Sequence, residues 1–325
     1  MQLARRRLLG LGAAASASLM MSRAPWAQAY PTRPVRWIVG FPAGSSGDMV
    51  ARLTTQWLAE RLGQPFIVEN RSGAGGNLAT ELVARAPSDG YTLLAAGSGH
   101  AINATLYDKL AFNFLRDIAP VAGTIRVPNM MVVNPSFPTR TVVDFIAYAK
   151  AHPGKVNMAS AGNGTTPHLT GELFKLMADV NMVHVPYRGT VPALNDLLSG
   201  QVDVMFGPVP ACIEFTRTGR LRALAVTTEV RWDALPDLPA TAEFLPGFEA
   251  STFYGAGAPR NTSAEIITRL NNEINRGLVD PVLKARFLEF GGAVMPGSPA
   301  DFGQLIAAET QKWARVLKFA NIRAD

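Results

Sequence analysis

Cysteine is almost absent from this 325-residue chain, because Cys212 is the only one. A single cysteine excludes an intramolecular disulfide and any metal site built from several thiolates. Histidine is also scarce, and the four histidines, His100, His152, His168 and His184, have spacings that suit no metal site. We therefore expect neither a metal nor a cofactor.

The common sequence motifs of catalysis are absent as well. The chain contains no G-x-S-x-G elbow, no H-E-x-x-H zinc motif, no Walker loop and no G-x-G-x-x-G after a predicted strand. These absences favour a protein that binds a molecule without transforming it. Catalytic groups can converge from distant positions, so an enzyme remains an alternative.

The N-terminus has the three parts of a secretory signal peptide. Arg5-Arg6-Arg7 precedes the apolar stretch from Leu8 to Met21, and the small-residue site Ala27-Gln28-Ala29 follows. We predict a signal peptide over residues 1–29 and export to the periplasm. The arginines and the leucines that follow them resemble the twin-arginine export signal. The apolar stretch is too short and too rich in small residues for a membrane anchor, and no cysteine follows it to carry a lipid.

A strong excess of one charge is missing once this leader is set aside. Removing Arg5, Arg6, Arg7 and Arg23 from the 31 basic residues leaves 27, against 25 acidic residues. A nucleic-acid-binding surface needs clustered Lys and Arg, so nucleic acid is excluded as a partner. The remaining 296 of the 325 residues exceed what one compact core usually holds, which predicts two domains.

Short runs rich in Val, Ile and Phe alternate with helical patterns between Val35 and the Ala225 region. This alternation is typical of βα units, so we predict an α/β fold with mostly parallel sheets. Extended segments at Val127–Val133 and Phe248–Ala256 are expected to cross twice between the domains and to form a hinge. Domain I would comprise residues 30–130 plus 252–325, and domain II residues 131–251.

The C-terminal part is predicted to be helical. Thr262 with Glu265, and Ser298 with Asp301, have the spacing of capping boxes at helix N-termini. We expect these helices to return and cover the first domain.

Five loops rich in glycine and hydroxyl residues follow predicted strands. A helix N-terminus carries unpaired N–H groups and partial positive charge, and glycine lets an anion approach the backbone closely. Ligands of open α/β sheets bind beyond the carboxyl ends of the strands. We therefore expect an anion, such as a carboxylate, to bind at these loops, although each loop alone is equally well explained as a tight turn. The loops are Pro42–Gly47, Gly73–Asn77, Gly97–His100, Ser160–Thr166 and Tyr187–Thr190.

Several polar side chains in this region have two interpretations. Asp48 would either contact a ligand or cap its helix, and a carboxylate would repel an anionic ligand. Arg188 would either pair with a carboxylate in bidentate fashion or be solvated, whereas Arg52 is expected to form an intramolecular ion pair. Thr166 would donate to a ligand, cap a helix, or do both.

His168 and Asp203 also have two interpretations each. His168, in the first turn of its helix, would be a ligand contact or a packing residue. Asp203 would receive a ligand hydroxyl or be a buried acid that is satisfied within the fold.

The motifs together resemble one family. Phe41-Pro-Ala-Gly-Ser-Ser-Gly-Asp48, Glu69-Asn-Arg-Ser-Gly-Ala-Gly-Gly76, Asp89-Gly-Tyr-Thr-Leu93, Ala159-Ser-Ala-Gly-Asn-Gly164 and Val185-Pro-Tyr-Arg-Gly189 are similar to segments of the Bug-type receptors of tripartite tricarboxylate transporters. The resemblance implies the two-domain type II periplasmic-binding-protein fold, a Venus flytrap. It also implies a ligand carboxylate held between the first loop and the Ser160–Thr166 loop, and as partners a large and a small membrane subunit.

The resemblance also has one departure, because Ser45 replaces a glycine of the family's usual first loop. Which carboxylate binds is therefore not predicted, and dicarboxylates, tricarboxylates and aromatic carboxylates all remain candidates. A periplasmic enzyme or a signalling receptor acting on a carboxylate is the alternative function. The predicted ligand-binding residues are Phe41, Pro42, Ala43, Gly44, Ser45, Ser46, Gly47, Asp48, Gly73, Ala74, Ser98, Ser160, Gly162, Asn163, Thr165, Thr166, His168, Tyr187, Arg188, Gly189 and Asp203.

Overall fold

The computed structural model describes residues 30–324. The predicted signal peptide, residues 1–29, lies outside the described residues. Within the described range, none of the helices combines the length and the hydrophobicity needed to cross a bilayer.

The first half of the structure is a parallel three-stranded unit with β1 at its centre. β1 pairs with β2 on one side and with β3 on the other. The first helix begins after Ser45, whose hydroxyl accepts the Asp48 N–H, and ends at Gly63 in the left-handed conformation. The elements are β1 Val35–Val39, α1 Ser46–Leu62, β2 Phe66–Asn70, a 3-10 turn Ala74–Gly76, α2 Asn77–Ala84, β3 Thr92–Gly97, α3 Ser98–Leu106 and α4 Phe114–Asp117.

The second half repeats the parallel arrangement, with β5 between β6 and β7. It follows a long strand, β4 Ile118–Val133. The remaining elements of this half are α5 Val142–Ala151, β5 Val156–Ser160, α6 Thr166–Ala178, β6 Met182–Pro186, α7 Thr190–Ser199, β7 Val204–Pro208, α8 Val209–Arg217 and β8 Arg222–Val226.

Two antiparallel strands join the halves into one curled sheet. Residues 118–128 of β4 pair with β9 Ser251–Pro259, while residues 129–133 pair with β7 and β8. Asn129 lies at the change of partners, and its side-chain amide donates to the Ala250 carbonyl at 3.3 Å and to Thr170 Oγ1 at 3.1 Å. The predicted α/β fold is confirmed. The segments predicted to cross between domains lie on β4 and around the start of β9, whereas the domain boundaries stay a prediction.

The C-terminal region contains α9 Ala264–Val279, α10 Pro281–Glu289, β10 Ala293–Val294 and α11 Pro299–Phe319. The Ser298–Asp301 capping box is present as predicted. The predicted cap at Thr262 is wrong by one residue. Ser263 caps α9, because its hydroxyl accepts the Ile266 N–H.

The last helix, α11, packs into both halves of the molecule. Phe302 and Ile306 belong to a core cluster formed with residues of the first half, including Ile38 of β1. Trp313 and Leu317 belong to a different cluster formed with residues of the second half, including Phe174 of α6. A helix of this length spans roughly 30 Å, which is enough to reach from one core to the other. The C-terminal helices therefore cover more than the first half.

Candidate functional site

Three predicted loops meet at the carboxyl ends of β1, β2 and β3, because these strands are parallel neighbours. The ring of Phe41, just after β1, lies at their centre. A methyl group built on Gly76 would lie 3.6 Å from this ring, and one built on Gly99 would lie 3.3 Å from it. We call residues 41–48, 73–77 and 97–100 the first loop group.

Asp48 fixes the first of these loops from inside. Its carboxylate is 2% exposed and accepts the Gly44 N–H at 2.9 Å, Arg52 Nε at 2.9 Å and Asn70 Nδ2 at 2.8 Å. Burial raises the pKa of Asp48, but the bonds from Arg52, Gly44 and Asn70 outweigh burial and hold the pKa below its ordinary value. Asp48 therefore serves the loop rather than an anionic ligand, and the predicted ion pair of Arg52 is confirmed.

The tip of the first loop faces solvent. Pro42, Ala43, Gly44 and Ser46 are exposed. The Ser46 and Gly47 N–H groups open α1, where the helix has no intrahelical acceptors for them. These backbone donors can bind an anion, and the partial positive charge at the N-terminus of α1 favours it.

The predicted loop Gly97–His100 is in fact the first turn of α3. The Ser98 hydroxyl is buried and accepts the Phe253 N–H of β9 at 2.8 Å. His100 Nδ1 accepts the Gly97 N–H at 3.1 Å, and burial lowers the pKa of His100 to about 4. Ser98 therefore ties α3 to β9 through its side chain, so only its backbone is left for a ligand.

The loops after β5 and β6 form a second loop group, residues 160–166 and 187–189. The Tyr187 N–H donates to the Ser160 carbonyl at 3.1 Å, and the Gly189 N–H donates to the Ala161 carbonyl at 3.2 Å. Helices α6 and α7 both begin here without a side-chain cap. Two helix N-termini are thus presented at this group.

Most of the predicted second-group residues are at least partly exposed. The Tyr187 hydroxyl donates to Asp196 Oδ2 at 2.7 Å, and the Thr165 hydroxyl donates to the Gly162 carbonyl at 2.7 Å. Asn163 and Arg188 are exposed, and within residues 30–324 no carboxylate lies in salt-bridge range of Arg188. Arg188 is therefore available to a ligand acid group.

Asp203 and His168 are held by hydrogen bonds within the fold. Asp203 accepts the Asn157 N–H at 2.7 Å, beside the start of β7 and therefore at the strand end opposite the loops. Of the two interpretations of Asp203, the geometry favours an acid that is satisfied within the fold. Asp203 is therefore not part of the site. His168 is buried in the first turn of α6, where its Nδ1 accepts the Gly164 N–H at 3.1 Å.

Helix α3 connects the two loop groups. It begins at Ser98 in the first group, and its last residue, Leu106, packs against Gly164 of the second, where an added methyl group would lie 2.7 Å from Leu106 Cδ2. Nine helical residues span roughly 12 Å, which is the scale of a small molecule. The two loop groups therefore lie at opposite ends of one short helix.

Some residues of this region could not be found from sequence patterns. Asn70 donates to the Phe41 carbonyl at 3.0 Å and to Asp48, and Asn103 donates to the Gly75 carbonyl at 2.8 Å. Tyr254 of β9 packs under Gly47 and Gly97. The only signal for Asn70 was its position after a strand, and Tyr254 is brought in by the antiparallel crossing.

The comparisons with known proteins agree with this architecture. Residues 50–322 match the family described as the tripartite tricarboxylate transporter family receptor. The chain belongs to this receptor family. The resemblance found in the sequence is thereby confirmed, and the family consists of periplasmic binding receptors.

Individual members of the family are similar over nearly the whole receptor. The protein BugT of Bordetella pertussis is 37% identical over 295 residues, which cover 90% of each chain. The structure of R. palustris Rpa4515 with adipate is 39% identical, has a TM-score of 0.77, and aligns over 90% of this chain and 99% of that one. The structure of MatC from Rhodopseudomonas palustris with bound malate is 33% identical, with a TM-score of 0.73 and coverage of 89% and 100%.

Proposed function

We propose that this receptor captures a small carboxylate between its two loop groups, does no chemistry on it, and delivers it to the large and small membrane subunits of a tripartite transporter. The observation that carries the proposal is the placement of three helix N-termini, those of α1, α6 and α7, at the two loop groups that α3 connects. Backbone N–H groups at these N-termini bind the acid group.

Relatives with bound acids support this ligand class. Rpa4515 carries adipate and MatC carries malate, and both are dicarboxylates. In this chain the exposed Arg188 is a partner for a second carboxylate, at a position where bidentate pairing adds orientation as well as energy. Binding shifts the receptor toward a closed form by rotation about the β4 and β9 crossings. The signal peptide predicted over residues 1–29 supports export of the receptor to the periplasm.

A thermal-shift screen of ligand-stripped protein against mono-, di- and tricarboxylates, aliphatic and aromatic, tests the proposal. A ligand at 100 times its dissociation constant should stabilise the protein by about 2.7 kcal/mol. Stabilisation by uncharged sugars or metal ions alone would contradict it. Recovery of the acid unchanged after incubation separates a receptor from an enzyme.

A further inference from the structure

The second loop group contains one buried hydroxyl, that of Ser160. Ser160 is fully buried, and its Oγ lies 2.6 Å from Nε2 of His184, a residue of the neighbouring strand β6. The same Oγ accepts the Gly162 N–H at 3.1 Å. His184 thus reaches the loop through Ser160.

A second histidine holds the same loop two residues further on. His168 Nδ1 accepts the Gly164 N–H at 3.1 Å, and the rings of His168 and His184 stack with centroids 3.6 Å apart and 8° between planes. On the far side, His168 Nε2 lies 3.7 Å from Glu172 Oε1, and Lys175 pairs with Glu172 at 2.9 Å. An open groove of about 950 Å³ is lined by both histidines and by Asn163, and it also contains Arg323.

The contacts assign a tautomer to each ring. His168 Nδ1 receives a backbone N–H, so the ring proton lies on Nε2, toward Glu172. Either Ser160 Oγ or His184 Nε2 could donate in their 2.6 Å contact, and the Ser160 hydroxyl has a second acceptor in the Gly162 carbonyl at 3.3 Å. Because a distance this short is usual for a hydroxyl donor, we expect the proton of His184 on Nδ1. Burial, with a smaller effect of His168, lowers the pKa of His184 to about 4, so the ring is neutral at pH 7.

These anchors leave two amides of the loop free. The N–H groups of Gly162, Gly164 and Thr165 are bonded to Ser160, His168 and the Gly162 carbonyl. Within residues 30–324, the Asn163 and Thr166 N–H groups have no acceptor. Gly162 and Gly164 have φ values of 127° and 71°, so without anchors this loop would sample many conformations.

We infer that His184 is a positioning residue that, with His168, fixes the Ser160–Thr166 loop so that its free amides are aligned for a ligand carboxylate. The inference rests on the proposed function for the ligand, but the anchoring of the loop can be observed without one. A loop already held in its binding conformation binds more tightly, because less freedom is lost on association.

The ligand-independent experiment is NMR of the apo protein at pH 7. Imidazole nitrogen shifts should show His184 protonated on Nδ1 and His168 on Nε2, and the Gly162 amide should exchange slowly. In His184→Phe, which keeps a ring against His168 but has no acceptor, exchange at Gly162 should become faster. A proton on His184 Nε2, or unchanged exchange in the variant, would overturn the inference.

The ligand-dependent experiment is calorimetry with adipate and malate. His184→Phe and Ser160→Ala should each weaken binding by about tenfold, the factor expected for one lost hydrogen bond. The double variant should be no weaker than Ser160→Ala alone, because His184 reaches the loop through Ser160. His184→Gln, which restores an acceptor, should recover most of the affinity.

The outcomes separate the two proposals. His152→Phe, a change on the surface of α5, is the matched control and should leave affinity unaltered. If the wild type binds adipate or malate and His184→Phe binds equally well, the positioning role is wrong. If the wild type binds no carboxylate, the proposed function is wrong, while NMR still decides whether the histidines anchor the loop.

Discussion

The two loop groups are held in place by different chemistry. In the first group an ionised, buried carboxylate, Asp48, collects three donors. In the second group neutral acceptors, the Ser160 hydroxyl and the imidazole of His168, receive the N–H groups of Gly162 and Gly164. A glycine loop can therefore be fixed with or without a charge, and the two loop groups should respond differently to mutation and pH.

The largest effect should follow removal of the charged anchor. Asp48→Ala leaves the Gly44 N–H, the Asn70 amide and Arg52 without their acceptor, and should lower the free energy of unfolding by about 2–4 kcal/mol. Urea denaturation measures this change. The control is Glu81→Ala, because Glu81 and Arg85 form an exposed i,i+4 pair. Breaking that pair should cost about 0.5 kcal/mol or less.

The next largest effect should come from the tip of the first loop. Gly44 has a φ of 79° with nothing within 4 Å of an added methyl group, so Gly44→Ala introduces backbone strain of about 1–2 kcal/mol and no clash. We expect the loop to relieve this strain by shifting its backbone donors, so carboxylate affinity should fall roughly tenfold.

Gly219 offers a matched control, with a φ of 72° and equally open surroundings away from the loop groups. Gly219→Ala should destabilise the protein similarly and leave affinity unchanged. Equal carboxylate affinity in both variants would show that the first loop does not contribute to binding.

A smaller effect is expected from acidification. The folded-state pKa of His184 is about 4, below the ordinary value of 6.5, so the unfolded chain takes up this proton first as pH falls. Stability from His184 is therefore complete above pH 6.5 and is lost between pH 6.5 and 4. Because the ring is partly exposed, we expect this loss to be on the order of 1 kcal/mol.

The contribution of Asp48 to stability should be lost in a different pH range. The pKa of Asp48 is lowered, so its contribution is present above its unfolded-state pKa and is lost only as pH falls through the lower folded-state value. Denaturation curves from pH 7 to 3 for the wild type, His184→Phe and Asp48→Asn would show the two ranges. His100 should add to the loss below pH 6.5 in all three proteins. Identical pH profiles of stability for the wild type and His184→Phe would contradict the lowered pKa of His184.

The smallest effect on stability should come from Arg188. This side chain is exposed, so Arg188→Gln should change the free energy of unfolding by less than about 0.5 kcal/mol. The affinity of the Arg188→Gln variant for adipate should fall severalfold. Its affinity for a monocarboxylate of similar length should stay the same, since only the second acid group needs the guanidinium. Arg217→Gln, on α8, is the control.

Local patterns predicted much of this fold, and long-range packing accounts for most of what they missed. The strand-and-loop alternation gave the α/β fold. The glycine-rich segment Gly97–His100 was predicted as a loop, because nothing local shows that His100 Nδ1 accepts the Gly97 N–H and supports a helix there. Helix α8 and the first half of β4 were also missed.

The site was predictable at the level of loops and less so at the level of side chains. Parallel strands bring their following loops together, so the loops could be grouped from sequence. Asp203 was left with two interpretations, because its partner, the Asn157 N–H, lies on another strand. His184 was missed as a site residue because its partner, Ser160, lies on another strand, 24 residues earlier.

The course of α11 has a consequence for opening and closing. Lys312 Nζ donates to the Glu249 carbonyl at 2.8 Å, beside the start of β9, and the next residue, Trp313, is fully buried with the second half. Rotation of one half against the other must therefore bend α11, or withdraw its last turns from one core, in addition to twisting two strands. The angular range of the receptor is then limited by a third covalent span, and shortening that span would be a way to widen it.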